Sequence, residues 1–433
     1  MTKKSAHTRL EDYRTEIGKC VRCGACTAVC PSFCADRRES RSPRGRMALI
    51  EAVLDGKLRV SDVYEDRLAT CAGCLACESA CASGVPFSRI IQAAKEQAVR
   101  ETGPGIVVSV VSSALKHPVL MRSLAWLAPV ALHYSGEAVR GKKVSDRETG
   151  HRETGRRGDK GSKKRGRVAF FPGCAVNYFQ PDIGQAVRTV LETLGYEVVI
   201  PSGLACCGRP YLSLGDRSAA EDLARKNAGI LSSLDAEVIV TACASCGLTF
   251  KKDYPALLAP SGGQGVRVLD IHEFLDGKLD GAVLGPVQER VTWHDPCHLG
   301  RGQGLAKTAR GVLRAVPGIE LAEMQEPDRC CGFGGVMRMS HPSLSGEIGG
   351  KKARDIMTTG ARRVVTGCPG CRMQIADSLR RAGSPASVVH TVQVLAEALG
   401  RAGSGVGSEE QDGAVAAGIG PRSNRKDRKG ADE

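Results

Sequence analysis

Two short stretches, GLACCGRP (Gly203–Pro210) and DRCCGFGG (Asp328–Gly335), each set two adjacent cysteines in front of a glycine. Neighbouring cysteine side chains diverge, and a disulfide between them would be strained. Each pair therefore offers two separate thiols. Further cysteines surround both pairs in the same order. Cys174, Cys206, Cys207, Cys243 and Cys246 recur as Cys297, Cys330, Cys331, Cys368 and Cys371, at offsets of 123, 124, 124, 125 and 125. Five cysteines in near-constant register imply two copies of one module, placed at 167–280 and 288–400. Inside the modules, β-rich runs (VAFFPGC, EVVIPSG, EVIVTAC, ERVTWHDPC, RRVVTGCPGC) alternate with helical stretches such as IGQAVRTVLETLG and RSAAEDLARKNAGILSSL. That alternation predicts an α/β fold. Several cysteines follow the C-terminal end of a predicted strand, where open α/β sheets carry functional groups.

Residues 1–100 differ. CVRCGACTAVCP holds Cys20, Cys23, Cys26 and Cys30; CAGCLACESACA holds Cys71, Cys74, Cys77 and Cys81. The intervening MALIEAVLDGKL has helical spacing of apolar residues and no strand alternation appears, so a small, mainly α-helical domain is expected. Residues 101–139 read as an apolar helical connector. Its richest part, 103–134, is interrupted by Lys116, His117, Pro118 and Arg122, too early for a membrane span. Residues 140–166 read as a basic flexible linker and 401–433 as a disordered tail.

The chain has 433 residues, nineteen cysteines and a formal charge of +14. The N-terminus shows no apolar signal-peptide core, which points to the reducing cytoplasm, where clustered cysteines are metal ligands rather than disulfides. The charge is concentrated: Arg140 to Arg167 holds twelve Lys/Arg against four Asp/Glu. Elsewhere the chain is only mildly basic. No aromatic-plus-basic platform for stacking bases is present, so no nucleic-acid partner is expected. Contact of the basic run with an anionic membrane surface is a secondary reading.

Cys-x2-Cys-x2-Cys-x3-Cys occurs twice. Three thiolates at these spacings wrap three corners of a cubane cluster, and the fourth cysteine reaches the other cluster in two-cluster ferredoxins. The expected ligand sets are Cys20, Cys23, Cys26 and Cys81 for one [4Fe-4S] cluster, and Cys71, Cys74, Cys77 and Cys30 for the second. Pro31 follows the first run; Ala82 replaces that proline after the second. Zinc, the plainer metal, does not need a third cysteine at this spacing. Cys34 reads as a small buried hydrophobe. In the modules, five thiolates exceed what one tetrahedral zinc uses. Two readings stand: one zinc with a spare cysteine, or a cluster with more iron–thiolate bonds than a plain cubane. These would make Cys174, Cys206, Cys207, Cys243 and Cys246 a third centre and Cys297, Cys330, Cys331, Cys368 and Cys371 a fourth. The glycine after each pair permits close backbone approach and offers an N–H to sulfur.

The two cysteine runs, the SPRGR between them and the two Cys-Cys-Gly modules resemble the iron–sulfur subunits of glycolate oxidase (glycolate dehydrogenase). They are also similar to lactate-oxidising and heterodisulfide reductase iron–sulfur proteins. The resemblance covers about residues 15–400, and HDPCH (His294–His298) and CCGFGG share in it. It implies an α-helical ferredoxin domain with two [4Fe-4S] clusters and partner subunits carrying FAD, where a 2-hydroxyacid such as glycolate is oxidised. Electrons would leave for a quinone at the membrane or another acceptor. In heterodisulfide reductases such modules hold non-cubane clusters that cleave disulfides, and retention of all five cysteines twice keeps that activity open. Around Cys297, His294, Asp295 and His298 read as strand-end caps or backbone partners, with a proton donor or metal ligand as the sharper alternative. Arg44 and Arg46 read equally as partners of acidic groups near the clusters or as solvated surface. No Gly-x-Gly-x-x-Gly turn opens a helix after a strand and no Walker A loop occurs, so flavin and nucleotide are expected on other chains. No catalytic residue is assigned on this one.

Overall fold

The computed structural model describes residues 9–105, 165–259 and 266–403, with Ser109 and Ser113. The expected connector, basic linker and tail lie, but for their edges, outside the described residues.

Residues 9–105 are helical, and no strand occurs among the described residues of this part. Ser42 and Ser61 cap Pro43–Leu54 and Asp62–Ala69, accepting hydrogen bonds from Gly45 N and Tyr64 N at 2.9 and 3.4 Å. These bonds satisfy amide groups that a helix start otherwise leaves unpaired. The long helix Phe87–Thr102 buries Phe87, Ile90, Ile91, Ala94 and Ala98, the spacing of one helical face. That face closes a core with Leu10, Met47, Ile50 and Leu68.

The rest forms two α/β modules, each with a four-stranded parallel sheet. The first has β1 (Arg167–Phe170), β2 (Glu197–Val199), β3 (Val238–Thr241) and β4 (Val268–Asp270) in the order β2-β1-β3-β4. The second has β5 (Glu289–His294), β6 (Ile319–Leu321), β7 (Arg363–Thr366) and β8 (Ser387–His390) in the order β6-β5-β7-β8. The two orders are identical copy for copy. Register matches too: Val168 pairs with Val198 and Val238, and Val291 with Leu321 and Arg363. The central strands bury almost every residue, as parallel strands covered on both faces do. β4, β6 and β8 were not expected from sequence.

The two modules pack through equivalent surfaces. Helix Pro181–Thr193 lies on Thr391–Gly403, and its counterpart Ala306–Arg314 lies on Ile271–Leu275. Gln303 Nε2 donates to the Ala244 carbonyl at 3.0 Å. Its equivalent Gln180 donates to the carbonyl of Pro369, the equivalent of Ala244, at 2.9 Å. Such reciprocity is an isologous interface about a pseudo-two-fold axis. A single apolar cluster spans both sheets, from Val168 and Phe170 to Val291 and Trp293. The helical domain docks on both modules: Pro31–Asp36 on Pro342–Thr358, and Phe87–Thr102 on Arg209–Leu214. The second contact is close, since a Cβ on Gly215 would fall 2.5 Å from the Lys95 carbonyl oxygen.

Candidate metal centres

Cys20, Cys23, Cys26 and Cys81 line one cavity of the helical domain, with Arg22, Gly24 and Arg44. Cys30, Cys71, Cys74 and Cys77 line a second, with Arg46. In each, three thiols come from one loop and the fourth from the other run. The two loops share an unusual backbone. Arg22 (φ 55°) and Gly24 (φ 88°) follow Cys20 as Gly73 (φ 62°) and Leu75 (φ 63°) follow Cys71, all left-handed. A non-glycine residue in that region costs on the order of 1–3 kcal/mol and persists where its surroundings demand it. The outcome is a loop whose three thiols turn toward one point. Sulfur is the only metal-donor type lining either cavity, the chemistry of iron–sulfur and zinc sites. Burial pushes the Cys30 thiol up to about 11 and raises Cys26. Loading either cavity therefore releases protons as thiols become thiolates.

Charge balance comes from arginine. Arg46 is 1% exposed; its Nε donates to the Arg67 carbonyl at 2.9 Å and its guanidinium to the Thr70 hydroxyl at 2.7 Å. It is thus a buried cation beside four thiols. Arg44 pairs instead with Glu39 at 2.7 Å, on the rim of the first cavity. Of the two sequence readings for these arginines, Arg44 takes the acidic partner and Arg46 takes neither. Cys34 belongs to neither cavity; it is half-buried, and its thiol donates to the Ala28 carbonyl at 3.2 Å.

The modules converge their cysteines at the C-terminal edge of the sheets. Cys243 and Cys368 are the N-cap residues of Ala244–Leu248 and Pro369–Arg381, just past β3 and β7. Cys297 opens the helix Cys297–Gln303 after β5. In the first module the Cys206 and Cys174 sulfurs are 3.6 Å apart, and Cys207 faces Cys246. In the second, Cys331 and Cys371 are 3.5 Å apart. The equivalent thiols Cys243 and Cys368 face each other across the pseudo-two-fold axis. Both glycines after the paired cysteines are left-handed, Gly208 at φ 94° and Gly332 at φ 91°. Gly332 N donates to Cys330 Sγ at 3.4 Å, an amide-to-sulfur bond.

The helical domain and the second module meet at sulfur. Cys74 packs with Cys330, and Cys297 lies against the same small cluster. Cys74 is pulled below the usual thiol range by accepting from Cys330. Two residues absent from the sequence reading frame this junction. Arg301 donates to the Cys74 carbonyl at 3.4 Å and to Asp328, and Arg209 ion-pairs with Asp253 at 3.1 Å beside Gly73. Their only sequence signal is a basic residue within a few positions of a cysteine.

HDPCH divides three ways. Asp295 accepts from Trp293 Nε1 at 2.7 Å and from Arg310 at 2.8 and 2.7 Å, a structural role. His298 ties three parts together, with Nδ1 2.9 Å from Ser245 Oγ and Nε2 3.1 Å from the Gly73 carbonyl. Burial, aided by Arg209, drops His298 to about 4 and keeps it neutral. His294 is buried, and its ring nitrogens meet no hydrogen-bonding group but the Cys331 thiol.

With this geometry in view, the known proteins similar to the chain can be compared. The "4Fe-4S dicluster domain" family matches residues 16–85, and the "Cysteine-rich domain" family matches 168–251 and 291–376. A fumarate reductase (CoM/CoB) subunit from Methanothermobacter marburgensis is 42% identical over 223 residues, 52% of this chain; the match spans 44% of that protein. The glycolate oxidase iron-sulfur subunit of Escherichia coli K12 is 26% identical over 394 residues, 88% of this chain and 93% of that one. A dihydromethanophenazine:CoB–CoM heterodisulfide reductase subunit from Methanosarcina barkeri is 27% identical over 417 residues, 89% of this chain and 94% of that one. An iron-sulfur protein of Methanocaldococcus jannaschii is 31% identical over 379 residues, 84% of this chain and 69% of that one, and with it the chain belongs to a family of iron–sulfur proteins that join a 4Fe-4S dicluster domain to two cysteine-rich domains.

Proposed function

We propose that the chain is the electron-transfer subunit of a flavin-dependent 2-hydroxyacid dehydrogenase, with glycolate the favoured substrate and D-lactate the nearest rival. The observation that carries this is the serial order of its thiol groups. The Cys20 cavity lies nearest solvent, with Cys23 exposed. The Cys30, Cys71, Cys74 and Cys77 cavity lies deeper, Cys74 meets Cys330, and Cys368 meets Cys243. The thiol sets fit [4Fe-4S] clusters in the helical domain and a further non-cubane cluster in each module, with zinc the alternative there. Bound clusters would supply one-electron transfer. The chain's own residues hold them, exclude water and balance charge, as Arg46 does. Substrate oxidation would take place on a partner carrying FAD, with electrons leaving to a quinone or another acceptor. No described helix is long and apolar enough to cross a membrane. A cytoplasmic place, peripheral on the inner membrane face, accords with this role.

Anaerobic purification with metal and flavin analysis tests the reading. Clusters at every site give about sixteen irons per chain, four per [4Fe-4S] unit; the helical domain alone gives about eight. The isolated chain is expected to hold no FAD and to leave glycolate unoxidised, and a flavoprotein should co-purify in the intact complex. Glycolate turnover by the isolated chain would refute the division of labour. A second reading, disulfide reduction at the module centres, is favoured by Cys243 of one module facing Cys368 of the other across the pseudo-two-fold axis. It predicts that the pre-reduced isolated chain reduces a small disulfide.

A further inference from the structure

The two modules correspond residue by residue, and a histidine breaks that correspondence. His294 ends β5, and its equivalent at the offset of 123 is Phe171, directly after β1. Both side chains are buried. Phe171 packs edge-on against Phe250, with ring centroids 4.8 Å apart. His294 instead brings a ring nitrogen within 4.8 Å of the Cys331 and Cys371 sulfurs. Those sulfurs are 3.5 Å apart, close to the roughly 3.8 Å expected of two thiolates sharing one tetrahedral metal. The His294 ring nitrogens meet no hydrogen-bonding group but the Cys331 thiol, so at least one of them is left unpaired. Burying an unsatisfied polar group is costly, so such a residue calls for an occupant of the site. The other polar side chains of the motif are taken: Asp295 by Arg310 and Trp293, His298 by Ser245 and Gly73.

We propose that His294 gives the metal centre of the second module a nitrogen ligand, beside Cys331 and Cys371, that the first module lacks. This rests on the reading that the modules hold iron–sulfur centres. The consequence is two inequivalent centres in near-identical frames. A neutral nitrogen that takes the coordination place of one of the five thiolates leaves the cluster less negative, and histidine ligation of that kind raises cluster potential. The second module should therefore be the more oxidising of the two and the preferred resting place of an electron.

The test uses the full-length holoprotein, purified anaerobically, with 15N-labelled histidine and iron counted in the same sample. Pulsed EPR should find a strong histidine-nitrogen coupling on one module centre. The coupling should be lost in His294→Phe, which copies the first module, and kept in His298→Asn. A redox titration of His294→Phe should show one midpoint falling toward that of the other module centre. If His294→Phe does not fold, the wild-type coupling and its survival in His298→Asn still decide. About sixteen irons per chain with no histidine coupling, or only the weak coupling of a hydrogen bond, overturns nitrogen ligation and leaves the modules as cluster sites. About eight irons overturns the cluster reading of the modules, and the ligand assignment with it.

Discussion

Replacing the glycine after each paired cysteine separates two costs that the modules distribute differently. Gly208 and Gly332 share nearly the same left-handed φ, 94° and 91°. Alanine at either position costs roughly 1–2 kcal/mol for that conformation. The surroundings then diverge. A Cβ on Gly208 would meet Ala220 at 3.4 Å, an ordinary contact. A Cβ on Gly332 would meet Ser345 O at 2.7 Å, Gly349 N at 3.0 Å and Ile348 Cβ at 3.1 Å. The first two are backbone atoms of helix Pro342–Thr358, and Ser345 Oγ donates to the Gly332 carbonyl at 2.8 Å. The helix must shift, which adds about 1–3 kcal/mol of overpacking. Gly332→Ala should thus cost about 2–5 kcal/mol and Gly208→Ala about 1–2. At about 2–4 °C per kcal/mol, the extra 1–3 kcal/mol should separate their apparent midpoints by roughly 2–12 °C. Anaerobic thermal unfolding of the iron-loaded variants measures this, and iron content should fall more in Gly332→Ala because Cys330 and Cys331 move with the turn. An equal or larger loss in Gly208→Ala, or a neutral Gly332→Ala, would refute the packing argument.

Three other outcomes follow. Arg46→Met removes a buried cation from the cavity of Cys30, Cys71, Cys74 and Cys77, so the reduced, more negative cluster is disfavoured. A unit charge across on the order of 8 Å at an effective dielectric constant near 20 is worth about 2 kcal/mol, a fall of about 90 mV, read by potentiometric titration; no fall would contradict it. His390 is held down to about 3, first by burial and then by His272. With an unfolded value near 6.5, the stability it contributes is present above pH 6.5 and declines as pH falls toward 3. At pH 5.5 the loss is about 1.4 kcal/mol. His390→Asn keeps an acceptor for Val392 N and should remove that part of the drop between pH 7.5 and 5.5 in denaturant titrations. His298→Leu strands the Gly73 carbonyl and Ser245 hydroxyl where three parts of the chain meet. A destabilisation of about 1–3 kcal/mol is expected, and a midpoint shift under 1 °C would argue against the junction.

The chemistry of this chain is written locally and its wiring is not. Spacing alone assembles Cys20, Cys23 and Cys26, or Cys71, Cys74 and Cys77, because a few residues of loop suffice to aim three thiols at one point. The offsets of 123 to 125 likewise imply two copies of one α/β module, since a repeat needs no knowledge of packing. What lies beyond the sequence is every relation between surfaces far apart in the chain. Cys74 against Cys330 and Cys243 against Cys368 come from docking domains whose contact faces have no local signature, and Arg46 is buried by Arg67 and Thr70, more than twenty residues away in the chain. HDPCH makes the point at one motif. His294, at the end of a strand, points into the thiol group; His298, one turn into the following helix, reaches Ser245 and Gly73. Their residue type is the same, and only the direction imposed by strand and helix separates them.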